Sequence, residues 1–120
     1  MSTLIEHPQI IEATGTKKKV IEEYFGRVTS KTGETSIARM VSPAGWEEPA
    51  QCPDFNEYTV VLKGTLQVKT KGQTYDVKTG QGILIAKSEW VQYSTPYEGG
   101  AEYIAVCLPA FSPETVHREE

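Results

Sequence analysis

Short runs rich in Val, Ile, Thr and Tyr recur along this chain, each closed by a turn, and that rhythm constrains the fold more than any other feature. The run at 36–41 closes on Ser42-Pro43-Ala44-Gly45 and the run at 58–62 on Lys63-Gly64. The run at 65–69 alternates apolar and polar residues with period two and turns at Lys71-Gly72. Residues 73–77 lead into Thr79-Gly80-Gln81-Gly82, and runs at 83–86, 90–94 and 102–107 complete the set. Strands at spacings of about 8–12 residues, rich in β-branched and aromatic side chains, read as an all-β sandwich or barrel. No stretch between Gly26 and Leu108 sustains the 3.6-residue periodicity of a helix.

The chain has 120 residues, enough for one domain and too few for two. A chain of this size buries roughly 65% of its unfolded surface, so it needs neither disulfide nor metal to fold. The organisation expected is an N-terminal arm over 1–20 in contact with a second copy, a barrel over 21–110 and a polar tail over 111–120. Bases number 12 and acids 16, a net charge of −4, which argues against nucleic acid and membrane surfaces as partners. The Lys17-Lys18-Lys19 run reads as a solvated face. Residues 1–16 lack the apolar core of a signal peptide, and no window approaches the 18 apolar residues of a membrane span. With Cys52 and Cys107 read as reduced thiols, a cytoplasmic location is expected. Two cysteines and two histidines exclude a zinc finger and a three-histidine zinc centre.

Between Gly45 and Thr95 the spacing resembles the cupin superfamily, small jelly-roll β-barrels. The family's first motif is Gly, five residues, His-x-His, three or four residues, Glu, six residues, Gly. Here Gly45 is followed after five residues by Gln51-Cys52-Pro53, then by Glu57 and Gly64 at the matching gaps. Both histidines are replaced, by Gln51 and Pro53. In the second motif Gly80 is kept, while Val91 stands where the family has its third histidine. The resemblance covers about 36–108 and implies a single-domain cupin of the RmlC-like type, in a short subgroup with degenerate metal motifs.

The usual cupin metal site, three His and one Glu facing the interior, survives here only as Glu57. Gln51 offers a weak amide oxygen. A register slip of one residue would bring Cys52 into play instead, with His117, Cys107 and Glu89 as distant candidates to complete a divalent-metal site. If Glu57 faces inward, alternation puts Thr59, Val61, Leu66, Val68, Tyr75, Val77, Val91, Tyr93 and Thr95 on the inner face. For the last strand both 103/105/107 and 104/106 are open. Glu57 is the candidate catalytic acid/base, since a carboxylate among apolar neighbours has a raised pKa. Gln51, Glu57 and Tyr93 are candidate ligand-binding groups, with Trp46 and Trp90 as aromatic walls.

Three readings of function follow. The first is a small cupin binding a small polar metabolite in its barrel, with chemistry based on Glu57. The second is a metal-dependent dioxygenase or isomerase using Gln51, Cys52, Glu57 and His117 as non-standard ligands. The third is a non-enzymatic binding module working as a homodimer.

Overall fold

The computed structural model describes residues 2–119, and it is all-β. Its nine strands are β1 (Gln9–Ile11), β2 (Val20–Phe25), β3 (Ser36–Ser42), β4 (Trp46–Glu47), β5 (Asn56–Thr70), β6 (Thr74–Lys78), β7 (Gly82–Ile85), β8 (Val91–Thr95) and β9 (Ala101–Leu108). All pairings are antiparallel. One sheet runs β1-β2-β3-β9-β5-β7 and the other β6-β5-β8-β4, so β5 belongs to both. This curled pair of sheets is a jelly-roll of the cupin type. Among the described residues no helix is long and apolar enough to cross a membrane.

The sequence predicts a chain reversal at Lys63-Gly64, and the structure corrects it. Residues 56–70 form one strand that bends there and passes from one sheet into the other. The pairing with β9 slips between Val61 and Lys63, and Gly64 takes φ +74°. A Cβ on Gly64 would collide with the Gly100 carbonyl, so only glycine fits at the fold between the sheets. The N-terminal segment also contributes strands. Val20–Phe25 pairs along β3, and Gln9–Ile11 pairs with β2 of the same chain.

The inner faces meet in a core of Trp46, Val61, Leu66, Val68, Val77, Ile85, Val91, Tyr93, Ala101 and Tyr103. A smaller cluster joins Phe55, Cys107 and Val116, with Phe111 edge-on to Phe55 at 5.9 Å. In β9 the residues 101, 103, 105 and 107 face inward, which settles the open parity of the last strand. Tyr75, read from alternation as an interior residue, lies on the surface at 38% exposure. It follows the turn at Lys71-Gly72, where β6 flanks the barrel and only Val77 reaches the core.

The tail is built into the sheet. Cys52 N–H donates to the His117 carbonyl at 3.2 Å, and Glu119 N–H donates to the Ala50 carbonyl at 2.7 Å. Residues 117–119 thereby run antiparallel to 50–52 and carry Arg118 to the barrel mouth.

Candidate functional site

Small side chains on two neighbouring strands, β3 and β9, leave the barrel hollow on one side. Ser36 pairs with Cys107 and Ala38 with Ala105, all four buried. Valine or leucine there would fill the interior. Small residues leave a cavity of about 300 Å³, lined also by Met40, Tyr103, Ile21 and Glu23. This is the lower end of the range for small-molecule sites and room for about ten waters. Its mouth is framed by Glu12, Ala13 and Thr14 of the N-terminal segment and by Pro113 and Arg118 of the tail.

The polar groups come from four places. Glu57 projects from β5, opposite Cys107 on one side and Ile85 on the other. Tyr93 comes from β8 and Gln51 from the segment after β4. Gln51 and Val91 form a cross-strand pair, exchanging N–H to carbonyl bonds of 2.9 Å in both directions. Two positions where the cupin motifs carry histidine are therefore adjacent, one holding an amide and the other a hydrocarbon. Glu48 is the fourth polar group. It lies two residues after the buried Trp46, so period-two alternation turns it inward while Glu47 faces out.

The electrostatics follow from burial. Glu57 keeps solvent contact only through the cavity, and its carboxyl is pushed up to about 7. Desolvation is the main cause and repulsion from Glu48 the second, with Lys19 and Arg118 opposing. Glu48 is raised as well, by desolvation, against the pull of Lys19 and Arg118. Tyr93 is pushed well above the ordinary phenol range by burial and by both carboxylates, and burial does the same to the Cys107 thiol. Three buried polar atoms have no hydrogen-bond partner among the described residues: Gln51 Oε1, Tyr93 Oη and Arg118 Nε. The Tyr93 hydroxyl stands beside Glu57 without meeting hydrogen-bond geometry. Buried polar atoms are nearly always paired, so three orphans around one cavity mark a place that expects a guest.

The other candidates are placed elsewhere. Trp46 is fully buried in the core, with the Lys19 ammonium 3.9 Å above its ring. Trp90 is half-buried on the outside, where Lys71 stacks on it and its Nε1 donates to Glu119 at 2.9 Å. Cys52 is exposed, and His117 is bound to Asp54 at 2.7 Å on the surface. Neither reaches the barrel, because 51 and 118 face in and their neighbours must face out. Lys19, read as part of a solvated run, is buried against Trp46 and Tyr103. Arg118, read as a tail residue, lines the cavity.

The cupin fold implies a metal, and the donor set does not fit one of the usual kind. With no imidazole in the barrel, Val91 in place of a ligand and Cys52 and His117 facing outward, Glu57 stands with an amide, a phenol, a second carboxylate and the Cys107 thiol around it, and burial favours the protonated form of that thiol. Among the described residues no group of three His, Cys, Asp or Glu side chains is arranged to hold an ion.

Comparison with known proteins bears on the family and the fold. The family model for the ethanolamine utilisation protein EutQ matches residues 50–112, the span from the Gln51 bridge to the start of the tail. A curated relative, the endoribonuclease YbeY of Myxococcus xanthus, is 41% identical over 101 residues. The match takes in 84% of this chain and 34% of that protein, so the chain spans about a third of its length. The solved Clostridium difficile EutQ protein superimposes with a TM-score of 0.61 at 22% identity, over 76% of this chain and 69% of that one. An RmlC-like cupin from Shewanella frigidimarina gives 0.73 at 15% identity, over 94% of each chain.

Proposed function

The chain belongs to the EutQ family of the cupin superfamily, and from that premise we propose that it binds a small polar metabolite in the barrel and exchanges a proton with it through Glu57. The observation that carries this reading is the cavity itself, where Glu57 meets the unpartnered Gln51 and Tyr93. A carboxyl held near 7 is populated in both forms at neutral pH, the condition in which general acid and general base work equally well. Tyr93, kept protonated, donates a hydrogen bond to a ligand oxygen, and Gln51 fixes the ligand's orientation. No step is routed through a metal. The endoribonuclease activity in the name of the Myxococcus relative is left with that protein, since a net charge of −4 disfavours a polyanion.

The test is thermal unfolding of the wild type and Ala105→Leu in the presence of a panel of small polar metabolites. Leucine at 105 grows into the void instead of into packed core, so the variant folds with little loss of stability. A panel member that raises the wild-type melting temperature by several degrees and leaves Ala105→Leu unmoved supports the reading. Equal shifts in both proteins would place binding outside the barrel.

A second copy of the chain is the partner we propose, seated on the outer face of the first sheet. Tyr58, Val60 and Leu62 of β5, Leu84 of β7 and Leu108 of β9 are each 41–52% exposed, and Leu84 lies directly opposite Tyr58. Together they present roughly 400 Å² of apolar surface, the size of the largest patch on an ordinary monomer, which is often functional. That is about half of the ~800 Å² per partner buried by a stable dimer. An isologous pair brings each patch onto its own copy. Wild-type protein is expected to elute with a dimer mass by light scattering and Leu62→Lys with a monomer mass. A monomeric wild type, or a dimeric Leu62→Lys, would contradict this placement.

A further inference from the structure

Six charged side chains line the cavity. Glu23 is already engaged, accepting from the Val28 and Thr29 N–H groups at 3.1 and 2.7 Å, and Glu12 is exposed. The other four, Lys19, Glu48, Glu57 and Arg118, are two of each sign. They feel one another, since both carboxylates are under the field of both cations. Yet the ion pairs among the described residues are Arg39 with Glu22 and Glu102, and His117 with Asp54, so none of the four is within 4 Å of an opposite partner here. Desolvated charges ordinarily collapse into contact, because attraction at short range is what offsets their burial. Here the barrel holds them apart around an open space. Lys19 is pinned over the Trp46 and Tyr103 rings, at 3.9 and 5.3 Å from their centroids. Arg118 is fixed by the 117–119 backbone pairing and by the Phe111 ring 5.5 Å away. Neither cation can swing to a carboxylate without giving up these contacts.

The orphaned atoms carry the same polarity. Gln51 Oε1 accepts a hydrogen bond, as do the carboxylates of Glu48 and Glu57 beside it, Arg118 Nε donates, and Tyr93 Oη can do either. An amine end of a guest satisfies the first group and an anionic or carbonyl end satisfies the second.

We propose that the barrel ligand is a small zwitterion, an amino acid or similar molecule with a protonated amine and a carboxylate a few bonds apart, its amine held by Glu48, Glu57 and Gln51 and its carboxylate by Arg118. This rests on the reading of the barrel as a metabolite site and names the chemical class that the site takes. A ligand of one sign leaves two of these four groups without a partner.

The experiment uses the 120-residue chain and the ω-amino acids from glycine to 6-aminohexanoate. Each is compared with the n-alkylamine and the n-alkanoate of the same length, by calorimetry at pH 7.5. One or more zwitterions are expected to bind at least tenfold tighter than both single-charge counterparts. Arg118→Met is expected to erase the preference over the matched amine, and Glu48→Gln to reduce the preference over the matched acid. Amines or acids binding as tightly as the zwitterions would overturn the inference while leaving a metabolite site in place. Absence of binding by every zwitterion up to 10 mM overturns it too. Absence of any ligand from the broader metabolite panel would instead remove the underlying reading.

Discussion

At the scale of the residue, Glu57 is the group on which the chemistry turns. Its carboxyl titrates at about 7 in the folded protein, against 4.5 in an unperturbed chain. Between these values the folded state binds the proton and the unfolded state does not. Its contribution to stability is therefore complete below about pH 4.5 and is lost as pH rises through 7. The full effect is about 3 kcal/mol. Glu57→Gln removes the titration, so by urea unfolding the variant should exceed the wild type by up to that amount at pH 8 and match it near pH 4.5. A constant difference across the range would show that Glu57 titrates normally. Glu57 was legible in the sequence because the spacing from Gly45 to Gly64 places it in the cupin frame. Its electrostatic neighbours were less so. Glu48 had a readable signal in the inward Trp46 two residues earlier, whereas Lys19 sits in a run whose composition points to solvent. Composition cannot show that a lysine lies over two rings brought from β4 and β9.

At the scale of the element, local chemistry announced most strands but not their continuity. The pair Lys63-Gly64 has the composition of a turn, and the runs on either side have the alternation of separate strands. What keeps the chain from reversing there is the pairing with β9 and the close approach of Gly100, both long-range facts. Gly64→Ala puts a side chain into a left-handed conformation and against a backbone carbonyl, where nothing flexible can yield. A loss of at least about 2 kcal/mol in unfolding free energy is expected. Gly72→Ala, in open space, is the comparison and should change stability by under about 0.5 kcal/mol. Equal effects of the two substitutions would contradict the role assigned to the bend. The tail escaped the sequence for a similar reason. Its residues 117–119 carry no strand signature, and they are ordered by the vacant backbone edge of 50–52.

At the scale of the whole molecule, the barrel is a container closed from both ends of the chain. The N-terminal segment and the tail both line a cavity whose walls are small because Ala38, Ala105, Ser36 and Cys107 are small. The fold class could be read from spacing and turns, since these are local properties summed along the chain. The cavity could not, because it depends on which small residues face each other across β3 and β9. The proton affinity of Glu57 integrates all of this: burial by β5, β8 and β9, repulsion from Glu48, and the cations brought by both termini. The most direct test of the account is therefore a ¹³C NMR titration of the glutamate side-chain carboxyls, with Glu57 assigned by comparison with Glu57→Gln. A carboxyl with a midpoint near pH 7 that disappears in the variant is expected. A Glu57 carboxyl titrating near 4.5 would contradict it.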